Sequence, residues 1–116
     1  IISYIELHYM EDIGGKDFAR VCNLSETHMR RIFIESTNIT PSEYLNLVRI
    51  KKACEMLAKE KCSIEKVSNS VGYPVISTFM RNFKKITGIS PNAWRRKALE
   101  NPENVTTYQV SVFKGW

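Results

Sequence analysis

The residues of this chain that could do chemistry are mostly basic, and they are concentrated in its C-terminal half. Residues 81–97 contain six basic and no acidic side chains, whereas residues 1–29 contain two basic and five acidic ones. The whole chain has 17 Lys and Arg residues and 12 Asp and Glu residues, which gives a net charge of +5. A one-sided basic segment favours binding to a polyanion such as nucleic acid, although a solvated basic helix has the same composition.

Catalytic and metal chemistry have little support. The chain has two histidines, His8 and His28, and three cysteines, Cys22, Cys54 and Cys62, with no Cys-x-x-Cys spacing. No nucleophile paired with a base, no metal-ligand cluster and no glycine-rich phosphate loop can be assembled from these residues. We therefore expect no enzymatic activity, no cofactor and no metal, and reduced cysteines packed in or near the core.

Composition favours a small globular protein. The chain has 116 residues, 43% of them hydrophobic, which suits one domain or two very small units sharing a core. No apolar run approaches the ~20 residues of a membrane-spanning helix, and the N-terminus lacks a basic signal-peptide region. We expect a cytoplasmic, nucleoid-associated protein without membrane contact. Because the chain begins with Ile1, we also expect a piece of a longer protein.

Turn and capping signals predict seven helices. They lie over residues 2–12, 17–22, from the cap Ser25 to about 36, 41–59, from the cap Ser63 to Val71-Gly72, from Pro74 to Gly88, and 92–97. Helical spacing predicts buried stripes on the third and sixth helices: Met29, Ile32 and Phe33 on the one, and Phe79, Phe83 and Ile86 on the other. Residues 99–116 form a tail that fits a strand, a docking arm or a disordered end equally well.

The sequence contains an internal repeat. At an offset of 50, Met29 aligns with Phe79, Arg31 with Arg81, Phe33 with Phe83, Thr37 with Thr87, Pro41 with Pro91 and Tyr44 with Trp94. Upstream the offset is 49, so that Phe18 aligns with Val67 and Asn23 with Gly72. The second copy has therefore gained one residue in the turn between its short and its long helix.

Each copy has the layout of a helix-turn-helix unit, in which the second helix enters the major groove of DNA. We predict an all-α fold of two such units joined by a long linker helix. The expected boundaries are residues 1–40 for the first unit, 41–60 for the linker helix, 61–98 for the second unit and 99–116 for the tail. A helical solenoid without a nucleic-acid role, serving as a protein-interaction module, is the alternative.

Residues 2–97 resemble the DNA-binding domain of AraC/XylS-type bacterial transcription regulators. The most specific match lies in the second unit: Val71-Gly72-Tyr73, Phe79-Met80-Arg81-Asn82-Phe83-Lys84-Lys85, Gly88-Ile89-Ser90-Pro91 and Trp94-Arg95. The first unit agrees through Arg31-Ile32-Phe33 and Pro41-Ser42-Glu43-Tyr44-Leu45. Tyr73 stands where the family usually has Phe, Trp94 where it has Tyr, Ser68 where it has Ala, and Asn38 where it has Gly.

The resemblance implies sequence-specific binding of double-stranded DNA, with the two second helices in successive major-groove segments. The outward faces of these helices supply the candidate base contacts: Thr27, Arg30, Arg31, Ile76, Ser77, Met80 and Arg81. Ile76 and Met80 could contact thymine methyl groups or could serve only in packing. Candidate phosphate contacts are Thr40, Lys84, Lys85, Ser90, Arg95 and Arg96. The resemblance also implies a separate sensor or dimerisation domain, and we expect RNA polymerase as a further partner.

Overall fold

The computed structural model describes residues 1–59 and 61–100, and over these ranges the chain is all-α with seven helices. They are α1 (Ile2–His8), α2 (Gly15–Cys22), α3 (Glu26–Thr37), α4 (Pro41–Lys59), α5 (Ile64–Ser70), α6 (Ile76–Thr87) and α7 (Pro91–Glu100). The predicted fold class is confirmed. None of the described helices is both long and apolar enough to cross a membrane. The sequence left open whether the tail is a strand, a docking arm or a disordered end, and from residue 101 onward the tail lies outside the described residues.

The first helix is shorter than predicted, because α1 ends at His8 rather than at residue 12. The chain tightens there into a turn in which the Glu11 amide donates to the His8 carbonyl oxygen at 2.9 Å. The next carbonyl groups, of Tyr9 and Glu11, accept hydrogen bonds from the Arg49 side chain on α4. A tertiary contact thus replaces the last helical turn that the apolar spacing predicted.

Other helix ends also differ from the prediction. α2 begins at Gly15, because the Asp17 carboxylate accepts the Gly14 amide at 2.9 Å and so caps the helix two residues earlier. α6 begins at Ile76, and Pro74 lies in the turn that precedes it. This start keeps α6 at an offset of 50 from Glu26, the first residue of α3, so the extra residue of the second copy is in the turn. α7 extends to Glu100.

Two hydrophobic clusters share α4. The first contains residues of α1 to α3 together with Tyr44, Leu45 and Val48 of α4. The second contains Ile50, Ala53, Cys54 and Leu57 of α4 together with residues of α5 to α7. The linker helix therefore supplies core residues to both units, and 19 residues at 1.5 Å each give it a length of about 28 Å.

The repeat predicted from the sequence is present in atomic detail. Thr37 and Thr87 each donate from Oγ1 to the carbonyl oxygen four residues earlier, at 2.8 Å. Each Oγ1 also accepts the backbone amide two residues later, at 3.3 Å. In both units an aromatic residue of the following helix packs edge-on against a buried Phe: Tyr44 against Phe33, and Trp94 against Phe83. The two units are copies of one structural design.

The predicted stripe on α3 is wrong at one position. Met29 and Phe33 are buried, but 41% of the Ile32 side chain is exposed. The helix packs against α2 and α4, and that contact covers only the side of the helix that carries Met29 and Phe33. In α6, Phe79 and Phe83 are fully buried, and Ile86 packs against the edge of the second cluster.

Candidate nucleic-acid interface

The outward face of α3 carries all three side chains predicted from the first unit. Thr27, Arg30 and Arg31 are exposed, and Ser25 positions the helix by accepting the His28 amide on its Oγ at 3.2 Å. Thr27 and Arg30 also line a cleft of about 450 Å³ that reaches Thr40 and Ser42 at the start of α4. Two candidate base contacts and one candidate phosphate contact therefore lie around one cleft.

The outward face of α6 is partly apolar. Ile76, Ser77 and Arg81 are exposed, and the solvent exposure of Ile76 is 40%. Met80 is half-buried and packs against the second hydrophobic cluster. The packing of Met80 is consistent with one of the two alternatives for these apolar residues, and the exposure of Ile76 is consistent with contact to a thymine methyl group.

The candidate phosphate contacts fall into two groups. Lys84, Lys85 and Arg96 are exposed, and both lysines lie in the last turn of α6, where the helix dipole favours a positive charge. Arg95 is half-buried, and its Nε donates to the Leu57 carbonyl oxygen at 3.3 Å. The Arg95 guanidinium thus satisfies a carbonyl near the end of α4.

Thr40 and Ser90 occupy equivalent positions before α4 and α7. The Thr40 Oγ1 accepts the Glu43 amide and the Ser90 Oγ accepts the Ala93 amide, each at 3.1 Å. Both side chains are half-buried and act as helix caps. Their hydroxyl groups thus hold the starts of α4 and α7.

Glu43 is an acidic residue among these basic side chains, and the sequence analysis did not assign it to the interface. Its carboxylate accepts the Thr40 amide at 3.1 Å, which lowers the pKa of Glu43, and the charges of Lys85 and Arg30 lower that pKa further. Lys85 belongs to α6 and Arg30 to α3. Both helices therefore present a basic residue toward the start of α4. The Thr-x-x-Glu capping pattern is the sequence signal that places Glu43 at the start of α4.

The cysteines lie in or near the core, as predicted. Cys54 is buried, Cys22 and Cys62 are half-buried, and all three are free. Burial raises the pKa of Cys54 to about 12, so its thiol is protonated at neutral pH.

Comparison with known proteins decides the family. Residues 18–97 match the family described as "Helix-turn-helix domain", which spans both units. The chain belongs to the AraC/XylS-type family of helix-turn-helix DNA-binding domains. Among the curated relatives of this AraC-type domain, the Msm operon regulatory protein of Streptococcus mutans is 35% identical over 97 residues. That alignment covers 84% of this chain and 35% of the relative, so the AraC-type chain spans about a third of the relative's length.

Solved structures agree with the fold of this AraC-type domain. The C-terminal domain of AraT, a response regulator from Geobacillus stearothermophilus, has a TM-score of 0.79 and 30% identity, covering 83% of this chain and 80% of that one. The DNA-binding domain of AdpA, solved in complex with a target DNA, has a TM-score of 0.81 at 22% identity, covering 87% and 92%. The second likeness establishes the shared fold.

Proposed function

We propose that this AraC-type domain binds double-stranded DNA by placing α3 and α6 in successive major-groove segments. The observation that carries the proposal is the duplication: two equivalent helices, each with an exposed Arg at the same repeat position, are held by one linker helix of about 28 Å. Successive major-groove segments on one face of DNA are about 34 Å apart. A modest bend of the duplex, costing on the order of 1–6 kcal/mol, can bring two half-sites into register with a strut of this length.

The exposed side chains of the two helices would have different tasks. The exposed Thr27, Arg30 and Arg31 would contact base edges in one half-site, and the exposed Ile76, Ser77 and Arg81 would do so in the other. An Arg that is bidentate to guanine contributes about 1–3 kcal/mol of discrimination. Met80 would serve in packing, because it lies against the second hydrophobic cluster.

The phosphate contacts would come from the exposed basic residues and the helix starts. Lys84, Lys85 and Arg96 would contribute affinity and salt dependence rather than sequence preference. The backbone amides after Thr40 and Ser90 would meet phosphate oxygens at the starts of α4 and α7. Arg95 would support this surface indirectly, because its guanidinium is engaged with the Leu57 carbonyl group.

In the longer protein, this domain would be the DNA-binding part of a cytoplasmic, nucleoid-associated transcription regulator. Two observations support this proposal: the relatives are operon regulators about three times as long as the match, and AraT is a response regulator whose C-terminal domain has this fold. A sensor or dimerisation domain would receive the signal, and RNA polymerase would be the downstream partner.

Binding to duplex DNA at several salt concentrations tests the proposal. We expect a preferred sequence. We also expect the logarithm of the binding constant to fall linearly with the logarithm of the salt concentration, with a slope set by the number of phosphates neutralised. Arg20→Met is a matched control, because Arg20 lies on α2, is exposed and paired with Asp17, and is not among the candidate base or phosphate contacts. A flat salt response together with equal affinity for all sequences would refute DNA recognition by this domain.

A further inference from the structure

One side chain of the linker helix connects the two helix-turn-helix units. Arg49 lies in the middle of α4 and donates from Nε to the Tyr9 carbonyl oxygen at 2.7 Å. It also donates from a terminal nitrogen to the Glu11 carbonyl oxygen at 2.9 Å. Tyr9 directly follows α1, and its side chain packs against both hydrophobic clusters. The guanidinium thus holds the end of α1 against the linker helix.

The same guanidinium contacts the turn of the second unit. It lies over the Tyr73 ring, 5.3 Å from the ring centroid, and the Tyr73 hydroxyl donates to Asn46 Oδ1 on α4 at 2.7 Å. Gly72, with φ +107°, sits so close that a Cβ would lie 2.8 Å from the Tyr9 carbonyl oxygen and 2.9 Å from Arg49 Nε. We call this contact among Tyr9, Arg49, Gly72 and Tyr73 the joint.

The chemistry of the joint requires an arginine. The planar guanidinium offers several donors in a fixed fork, which lets it reach two carbonyl oxygens while its face stacks on an aromatic ring. A lysine ammonium is a single point of charge and lacks the planar face. Because the donors of the half-buried Arg49 are directed at backbone carbonyl groups of the first unit, its guanidinium is engaged within the protein rather than with a phosphate.

We propose that Arg49 is a positioning residue, which fixes the distance and angle between α3 and α6 and thereby sets the half-site spacing that one chain accepts. The proposal rests on the proposed two-site binding of DNA. When two binding surfaces are held rigidly, the second contact forms at a high effective concentration, and a looser connection lowers that concentration. Loss of the joint therefore weakens binding to the paired half-sites and leaves each half-site contact intact.

Arg49→Met and the milder Arg49→Lys test this with four duplexes: the preferred full site, each half-site alone, and the full site with one inserted base pair between the halves. For Arg49→Met we expect about a tenfold loss on the full site, less than about a twofold loss on each half-site, and a smaller penalty for the insertion. Arg20→Met, which also removes one positive charge, should leave all four ratios unchanged.

The outcomes separate the two proposals. Equal weakening on full and half-sites would overturn the positioning role, because it would mean that Arg49 contributes to folding or to direct contact alone. An unchanged preference for the full site in Arg49→Met would overturn it too. If the parent protein itself binds the full site no better than a half-site, the two-site proposal fails instead.

A structural measurement in the absence of DNA distinguishes a loss of the joint from misfolding of a variant. Residual dipolar couplings of the parent protein should fit one alignment tensor for both units, whereas those of Arg49→Lys and Arg49→Met should need two. Gly72→Ala should produce the same separation, because its Cβ would push the turn away from Tyr9 and Arg49. A single shared tensor in a folded Arg49→Met variant would contradict the joint's role.

Discussion

Replacing Arg31 separates base recognition from electrostatic anchoring. Arg31 is exposed on α3, and its side chain makes no hydrogen bond or ion pair within the described part of the chain. Arg31→Ala should therefore change the free energy of unfolding by less than about 0.5 kcal/mol. Loss of a bidentate contact to guanine costs about 1–3 kcal/mol, which is roughly a 5- to 150-fold loss of affinity for the preferred site.

The assay is fluorescence anisotropy with the preferred duplex, its single-base variants and a random duplex. Arg31→Ala should lose its discrimination at one base pair, and the matched change Arg81→Ala should lose discrimination in the other half-site. Lys84→Ala should weaken binding to all duplexes alike and reduce the salt slope by about one. If Arg31→Ala and Lys84→Ala both weaken every duplex equally, the division between base and phosphate contacts is refuted.

Three further predictions concern the folded state. Thr87→Val should lower the free energy of unfolding, measured in urea, by about 1–2 kcal/mol, because the hydroxyl of the buried Thr87 no longer donates to the Phe83 carbonyl oxygen or accepts the part-buried Ile89 amide; Thr37→Val, at the less buried equivalent, should cost less, and the reverse order would contradict the burial argument. Asn38→Gly should raise that free energy by up to about 1 kcal/mol, because residue 38 has φ 65°; a loss would show that the Asn side chain is needed. Cys54 should react with iodoacetamide in the native state at pH 8 at least about a hundredfold more slowly than Cys22, measured by peptide mass spectrometry, because its raised pKa keeps the thiol protonated; equal rates would refute its burial.

The features that the sequence predicted best are those with a local physical cause. Ser25 and Ser63 cap α3 and α5 as predicted, because side-chain capping acts over three or four residues. The positive φ of Asn23 and Gly72 likewise occurs at equivalent turn positions, as the alignment of the two copies implies. Local chemistry repeated in two copies made the fold predictable.

The features that the sequence missed depend on contacts between distant residues. α1 ends early because Arg49, 40 positions away from Tyr9, takes the carbonyl groups that another helical turn would have used. Ile32 has the spacing of a buried residue, but no neighbouring helix covers it. The sequence also gave no sign that the Arg95 Nε donates to the Leu57 carbonyl oxygen of α4. The periodicity of apolar residues shows which side chains share one face of a helix, but it does not show which neighbouring helix covers each of them.

Selection of bound duplexes from a random library tests the central claim most directly. If α3 and α6 enter successive major-groove segments, the selected DNA should contain two different half-sites at a constant centre-to-centre distance of about 10–10.5 base pairs. The half-sites should differ because the exposed side chains of α3 and α6 differ. Enrichment of one short motif alone, or of two motifs at variable spacing, would contradict two-site recognition by a single rigid chain.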